Sequence, residues 1–312
     1  MATLLTGAGY IGAALLDRLA ETAGRDDEPV VVLDNWYSTP RDAFLAAVPP
    51  GVKIIDGDVA ETADVARAFD ALSTTAPVTV FHLAAQPSAA MAVREPGLTE
   101  HSNLVGARVL LEAATERQAT VVFGGSFRVY GDDLAGLCVD ETTPYGRVGD
   151  LSHLSKIYVE QLARMLGVRF ASVRLGVTYG LSPIMKTSPA FMTVPNLFCQ
   201  RAAQGEVLRV LEDRPMAFIH VEDAADALLG AAHLTSNSTW QVVNAAPEVA
   251  SIGRVARTVE RLLQQRGKHA RIEGAAATSD VTFQVSSRLA LQPRHTLESG
   301  LVDVLDYFLA RR

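Results

Sequence analysis

The chain has 312 residues, of which 48% are hydrophobic and 20% are charged. This composition excludes a disordered or fibrous protein and is typical of globular chains that bury a sizeable core. The formal net charge of -7 gives no global attraction to nucleic acid or to an anionic membrane surface, so we predict neither partner. Cys138 and Cys199 lie far apart, which predicts neither a disulfide framework nor a metal site.

The first residues contain no basic segment, and no run approaches about 18 consecutive apolar residues. We therefore expect no signal peptide, no membrane span and a cytoplasmic location.

In the first half of the chain, short apolar runs alternate with longer segments that show helical spacing. The continuous apolar runs at 30–33, 52–55, 78–81, 120–123 and 171–175 predict strands that are buried on both faces. Helices are predicted over 11–22, 60–72, 103–116 and 151–166. Repeated strand–helix units predict an α/β fold, a doubly wound parallel sheet of the Rossmann type.

The alternation stops in the Gly- and Pro-containing stretch 176–195. We expect the dinucleotide-binding domain to cover 1–180 and a smaller C-terminal α/β substrate domain to cover 181–312. Strands at 218–221 and 241–243 flank a helix over 224–234, and a segment near 217–245 can rejoin the first sheet. Helices over 252–265 and 297–309 complete the predicted second domain.

A glycine-rich motif follows the opening apolar run. Gly7, Gly9 and Gly12 form a G-x-G-x-x-G pattern between a predicted strand and a predicted helix, the context that this motif requires. The first glycine permits a tight turn, the second a close approach of a pyrophosphate, and the third close helix–strand packing. Asp34 ends the next strand, where a carboxylate binds adenosine ribose hydroxyls and repels a 2′-phosphate, which favours NAD over NADP.

A second carboxylate, Asp58, follows the next predicted strand. It can reach the adenine amino group, with Val59 beside it. A simple loop carboxylate is the alternative interpretation.

Several motifs in order resemble the extended short-chain dehydrogenase/reductases of the NAD-dependent sugar epimerase/dehydratase family. The resemblance covers nearly the whole chain. Its pieces are TGAGYIG (6–12), LDN (33–35), GDV (57–59), FHLAA (81–85), NLVG (103–106), SFRVYG (126–131), Ser155 and Lys156 with Glu160, RLGVTYG (174–180) and FIHVED (218–223).

This resemblance implies roles for individual residues. Lys156 holds the nicotinamide ribose, and Ser126 donates or accepts a hydrogen bond at the substrate oxygen that becomes a ketone. The other residues expected at the cofactor are Tyr10, Ile11, Asn35, Leu83, Ala84 and Ala85, and Gln86 is expected at the substrate. The resemblance also implies a homodimer formed through the helices at 103–116 and 151–166.

The catalytic segment departs from the family pattern. The family's acid/base tyrosine stands four residues before the lysine, and here that position is Ser152. An unassisted serine hydroxyl is a much poorer base than a tyrosine beside a lysine. His153 and Tyr145 are candidates for exchanging the proton, with Tyr145 folding back to the nicotinamide; alternatively, Ser152 leaves room for a substrate group or water.

The substrate phosphate site departs as well. An arginine common in the family is replaced here by Met216, so Arg214 and Arg288 are the candidates to bind a diphosphate. Val177 replaces a substrate-facing asparagine.

We predict an enzyme, an NAD-dependent epimerase or dehydratase that acts on a nucleotide-linked sugar through a transient keto intermediate. One alternative is a simple NAD-dependent dehydrogenase or ketoreductase of a sugar or polyol. Another is a catalytically silent NAD-binding sensor or partner subunit, which the missing tyrosine supports.

Overall fold

The computed structural model describes residues 2–22, 28–186, 188–235, 239–274 and 282–311. Through residue 175, strands and helices alternate. In chain order they are β1 (Ala2–Thr6), α1 (Tyr10–Thr22), β2 (Val30–Asp34), α2 (Arg41–Ala47), β3 (Lys53–Asp56), α3 (Thr62–Asp70), β4 (Val78–His82), α4 (Ala89–Arg94), α5 (Pro96–Thr99), α6 (Gly106–Glu116), β5 (Thr120–Ser126), β6 (Cys138–Val139), α7 (Leu151–Leu166) and β7 (Arg169–Leu175).

In the second part of the chain, strands and helices no longer alternate regularly. Its elements are β8 (Val177–Tyr179), α8 (Val194–Gln204), β9 (Leu208–Val210), β10 (Pro215–His220), α9 (Val221–Leu234), β11 (Trp240–Ala245), β12 (Glu248–Ser251), α10 (Ile252–Gln264), β13 (Ile272–Gly274), β14 (Gln284–Val285) and α11 (Leu297–Leu309).

A seven-stranded sheet has the order β11-β7-β5-β4-β1-β2-β3, and all neighbouring pairs are parallel. This confirms the predicted doubly wound α/β fold. The strands β1, β2 and β3 run outward in one direction, and after β3 the chain returns to place β4 on the other side of β1. The strand order therefore reverses between β1 and β4. A crevice at the carboxyl ends of the strands at such a point is where this fold binds its ligands.

The inner strands are rich in buried apolar residues because helices cover both faces of the sheet. Leu4 of β1 packs in the cluster with α3, α6 and α7, whereas its neighbour Leu5 packs in the cluster with α1, α2 and α9. Val31 and Val32 of β2 divide between the same two clusters. Alternating side chains of these inner strands therefore fill two cores, one on each face of the sheet.

The segment near 217–245 divides between two sheets. Its first strand, β10, lies between β12 and β8 in a three-stranded sheet, whereas β11 adds to the edge of the large sheet beside β7. Between them, α9 packs against α1 and forms an ion pair with it, Arg18 Nε to Asp226 Oδ1 at 2.8 Å. A separate hydrophobic cluster joins α8, α10 and α11.

No helix in the described part of the chain is long and apolar enough to cross a membrane.

Candidate active site

One cavity of about 720 Å³ opens where β1, β2, β4 and β5 end. Most of the residues predicted from the sequence line it. They are Gly7, Gly9, Tyr10, Ile11, Asp34, Asn35, Asp58, Val59, Leu83, Ala84, Ala85, Gln86, Ser126, Ser152, His153, Lys156 and Val177. The exceptions are Gly12, Tyr145, Arg214 and Arg288.

The glycine loop has little space for any side chain. Gly7 has a φ of +93°, and a Cβ there would lie 2.5 Å from the backbone nitrogen of Ala84. A Cβ at Gly12 would lie 2.1 Å from the Gly7 carbonyl oxygen, so this glycine acts by packing inside the loop. At Gly9 a Cβ would meet only Thr39 Oγ1, at 3.4 Å, and the loop faces the open cavity there. The loop and the N-terminus of α1 therefore fit an approaching diphosphate.

Asp34 is fixed at the edge of this loop. Its Oδ2 accepts a hydrogen bond from the Ala8 N–H, and its Oδ1 accepts one from the Trp36 N–H, both at 2.6 Å. Burial raises the pKa of Asp34, and the two N–H donors partly oppose that shift. Each oxygen keeps a second acceptor site for a ribose hydroxyl.

Asp58 belongs to a polar group at the predicted adenine end. Its Oδ2 accepts from Asn35 Nδ2 at 2.9 Å and lies 3.3 Å from His101 Nε2, while its Oδ1 accepts from the Ala60 N–H at 2.8 Å. Burial works against the charged form, but these hydrogen bonds outweigh it and hold the pKa of Asp58 below its usual value. His101 also lines the cavity, and no sequence motif singled it out.

Gln86 and Asn103 connect two segments of the cavity wall. The Gln86 side chain donates to the Ser88 carbonyl at 3.0 Å and to Thr99 Oγ1 at 2.9 Å. Asn103 accepts from the Gln86 N–H at 2.7 Å and donates to Ser155 Oγ at 3.1 Å. Both N–H groups of the Gln86 amide are therefore bonded within the wall. Gln86 lines the cavity as predicted, and its direct contact with the substrate stays a prediction.

Lys156 and Ser126 both line the cavity beside β5, whereas Asp34 ends β2 on the other side of β1. The Lys156 Nζ donates to the Gly124 carbonyl at 2.8 Å and lies 4.6 Å from the ring centroid of Phe123. Burial lowers the pKa of Lys156 to about 8, although Glu160 favours the charged form. Near neutral pH this ammonium is therefore ready to exchange a proton.

Ser152 and His153 open the helix that carries Lys156, and both line the cavity. His153 Nδ1 accepts a hydrogen bond from the Gly149 N–H at 3.2 Å, which assigns the proton of the neutral ring to Nε2. That Nε2 is buried without a hydrogen-bond partner. Burial first, and the charge of Arg128 second, lower the pKa of His153, so the ring is a neutral donor rather than a ready base.

Tyr145 does not line the cavity, so the structure does not support the hypothesis that it replaces the missing phenol. Its hydroxyl donates to Glu160 Oε2 and accepts from Gln161 Nε2, both at 2.8 Å. Its ring lies 5.2 Å from the Arg174 guanidinium carbon. Burial raises the pKa of Tyr145 to about 12, with Glu160 adding to the shift, so the phenol stays protonated.

The network that holds Tyr145 lies behind the cavity. Glu160 is fully buried and accepts from Arg174 Nη2 at 2.6 Å, Arg174 Nε at 3.0 Å and Ser172 Oγ at 2.7 Å. Arg174 also donates to the Tyr130 hydroxyl at 2.7 Å. This ion pair ties α7, which carries Lys156, to β7 of the sheet.

The two candidate arginines differ in position. Arg214 lines a smaller cavity of about 100 Å³, where it pairs with Asp132 and lies 3.5 Å from Glu212. This cavity shares part of its wall with the large one, namely Ser126, Arg128, Leu175, Gly176 and Val177.

Arg288 lines neither of these cavities. Its backbone N–H donates to Glu141 Oε1 at 2.8 Å, which fixes the chain but brings no guanidinium to the site. The expectation that Arg288 binds the substrate is therefore corrected. Arg128 is the arginine that borders both cavities, paired with Asp150 at 2.9 Å. Its one signal in the sequence is its position in the motif SFRVYG (126–131), two residues after Ser126.

Three potential metal ligands, His220, Glu222 and His295, come within 4.8 Å of one another outside the cavity. Each of them has one side-chain polar atom that is already partnered. His220 Nδ1 accepts from the Glu222 N–H at 3.3 Å, and Glu222 Oε2 lies 3.0 Å from His295 Nε2 and 3.3 Å from Arg294 Nη2. An arginine on the shared carboxylate makes the group an internal polar cluster.

A glycine loop at a helix N-terminus, a carboxylate at the end of β2 and a lysine facing the same cavity define a dinucleotide-dependent enzyme of the Rossmann type. The model of the NAD dependent epimerase/dehydratase family matches residues 3–246, and the chain belongs to this family. This confirms the predicted family, its enzymatic nature and NAD as the cofactor.

Individual relatives are similar along their whole length. The UDP-N-acetyl-alpha-D-glucosaminuronate decarboxylase of Bacillus cytotoxicus is 25% identical over 97% of this chain and 95% of its own. The dTDP-glucose 4,6-dehydratase of Mycolicibacterium smegmatis is 26% identical over 99% of this chain and 94% of its own. The Thermus thermophilus UDP-glucose 4-epimerase, solved in complex with NAD, aligns with a TM-score of 0.80 at 25% identity, covering 99% of each chain.

Proposed function

We propose that this enzyme acts on a nucleotide-linked sugar and changes it by epimerisation or dehydration through a transient keto intermediate. The observation that carries the proposal is the single cavity that holds the dinucleotide loop at one end and Ser126 and Lys156 at the other. The names of the similar proteins support the substrate class, since they act on UDP- and dTDP-linked sugars.

The chain's own residues can hold NAD along this cavity. The loop at Gly7–Gly9 and the N-terminus of α1 face the diphosphate, Asp34 accepts from the adenosine ribose, and Lys156 contacts the nicotinamide ribose. When bound, NAD supplies a hydride acceptor and donor.

The proton of the substrate hydroxyl passes, in this proposal, through Ser152 to Lys156. Residues four apart on a helix are neighbours, and both side chains line the cavity. The O–H bond of the substrate breaks as the proton moves to Ser152 Oγ, and the serine proton moves to the neutral Lys156 Nζ. Ser126, which lines the same cavity, is the donor for the developing ketone oxygen. A lysine whose pKa lies near 8 thus supplies the base that the serine hydroxyl lacks.

An isotope experiment tests the reaction class. UDP-glucose, UDP-glucuronate and dTDP-glucose, each carrying deuterium at C4 of the sugar, are incubated with the purified protein and analysed by mass spectrometry. We expect at least one to be converted with its deuterium retained and without net NADH formation. Stoichiometric NADH would establish the simple dehydrogenase instead. Tight NAD binding without turnover on a wide panel of sugars would establish the silent binding protein.

We also propose a homodimer formed through α6 and α7. Leu154 and Met165 are 43% and 83% exposed and lie on one stripe of α7, and Val105 is exposed just before α6. Light scattering should show a dimer for the wild type and a monomer for Leu154→Glu. The matched control is Leu211→Glu, since Leu211 is 91% exposed away from these helices. A monomeric wild type at micromolar concentration would contradict this proposal.

A further inference from the structure

The loop after β8 is fastened to the N-terminus of α1. Ser182 Oγ donates to the Tyr10 carbonyl at 2.6 Å, and the Tyr10 hydroxyl donates to the Gly180 carbonyl at 2.6 Å. Ile184 is buried against the core of the large sheet, and Met185 packs against the cluster around Tyr10. The second part of the chain is thereby held directly beside the dinucleotide loop.

Lys186 comes next in this loop and lines the large cavity together with Gly9, Tyr10 and Ile11. Its Nζ lies 5.8 Å from the ring centroid of Tyr10, the first residue of α1. Among the described residues, no carboxylate pairs with this ammonium and no acceptor receives a hydrogen bond from it. The other cations that line the cavity do have such partners: Arg128 has Asp150, and Lys156 has the Gly124 carbonyl.

Burial of this ammonium without a counter-charge is unfavourable, and it lowers the pKa of Lys186 to about 8. An anion bound next to the Lys186 ammonium would offset this unfavourable free energy of burial. Three N–H donors of the ammonium and the free N–H groups of the α1 N-terminus face the same part of the cavity, an arrangement that suits a group with two adjacent negative charges. The net charge of -7 makes such local cations more important for anion binding.

We propose that Lys186 binds the diphosphate of the cofactor. The second part of the chain then contributes a positive charge to the NAD site in addition to its packing against α1. The inference rests on NAD being the cofactor and does not depend on the sugar reaction. Lys186 is a positioning and binding residue in this account, and it takes no part in the proton transfer.

Isothermal titration of nucleotide-free protein tests the proposal. The ligands are NAD, ADP and adenosine, because ADP keeps the diphosphate and adenosine removes it. Lys186→Gln should weaken NAD and ADP by about 10-fold and leave adenosine unchanged, as expected for one charge-assisted hydrogen bond. Lys186→Arg should stay close to the wild type. The control Lys53→Gln removes an exposed lysine from β3 and should change none of the three affinities.

A further arm separates the cofactor from a substrate diphosphate, which has the same chemistry. UDP is titrated into the NAD-loaded protein, and the proposal predicts equal affinity for the wild type and Lys186→Gln. Loss of UDP binding with NAD affinity retained would overturn the assignment to the cofactor. Unchanged affinity for NAD and ADP would overturn it as well. Thermal unfolding of the variant shows that it is folded, and failure of the sugar reaction would leave these binding results intact.

Discussion

The two ends of the active-site cavity are built in different ways. At the cofactor end, backbone geometry dominates: Gly7 and Gly12 fit because no side chain has room, and Asp34 is held by two N–H groups. At the reacting end, side chains from separate elements dominate, among them Ser126 and Lys156. The first end carries the glycine spacing that the dinucleotide motif requires, whereas at the second end the position four residues before Lys156 is Ser152.

This difference follows from what each end must recognise. A diphosphate is bound by backbone N–H groups whose directions depend on the path of the chain. Few sequences allow the chain to follow that path. A proton can be moved by several kinds of side chain provided that the pKa suits the task. The lysine at the reacting end, with its pKa lowered by burial, is one such solution.

The largest effect is expected at the cofactor end, from Gly7→Ala. A positive φ and a Cβ 2.5 Å from backbone combine strain with overlap, and together they cost about 4 kcal/mol, or 1000-fold in NAD affinity or in the folding equilibrium. Titration with NAD and thermal unfolding measure it. The matched control is Gly51→Ala, where φ is +87° but nothing lies within 4 Å of the added Cβ. That variant should lose about 1 kcal/mol of stability and keep its NAD affinity. Equal effects at both glycines would show that the overlap with Ala84 is unimportant.

The next largest effect is expected from the buried ion pair of Glu160 and Arg174, which lies behind the reacting end of the cavity. Glu160→Gln leaves the buried Arg174 without its counter-charge, and we expect a loss of about 3 kcal/mol in the free energy of unfolding. The control is Glu112→Gln, which removes a half-exposed partner of Arg108 and should cost at most about 0.5 kcal/mol. Denaturant unfolding at pH 7 compares the two. Similar losses would mean that the buried pair does not hold α7 to the sheet.

A smaller effect, about 100-fold in kcat, is expected from Ser152→Ala, because the variant removes the hydroxyl between substrate and Lys156. Tyr145→Phe serves as the control. Its phenol points to Glu160 outside the cavity, so turnover should stay within about twofold of the wild type. A large loss in Tyr145→Phe with normal turnover in Ser152→Ala would restore the tyrosine hypothesis and remove the serine relay.

The large sheet could be predicted well from the sequence. Strands that are buried on both faces are continuous apolar runs, such as 30–33 and 120–123, and these are easy to recognise. The glycine loop could be predicted as well, because the spacing of the three glycines follows directly from the tight turn and the close packing that the loop requires. The direction in which a loop side chain points cannot be recognised from a comparable sequence pattern. Tyr145 is turned away by Glu160 on a later helix, and Arg288 is fixed through its backbone by Glu141.

For some residues the structure confirms a place in the cavity wall, whereas their role stays a prediction. Gln86 does line the cavity, yet its amide is occupied by Ser88 and Thr99. Lys186 lies in an irregular loop outside every motif, so only the fold brings it to α1. The domain boundary at residue 180 and the cytoplasmic location stay predictions.

The pH dependence of the hydride-transfer step tests the reacting end most directly. It is measured by following NADH absorbance in a single turnover from pH 6 to 9. Burial lowers the pKa of Lys156 to about 8, and the neutral amine is the form that accepts the proton. The rate should therefore rise about tenfold per pH unit below that pKa and level off above it. A rate that is flat across this range, or that falls as the pH rises through 8, would contradict proton transfer through Ser152 to Lys156.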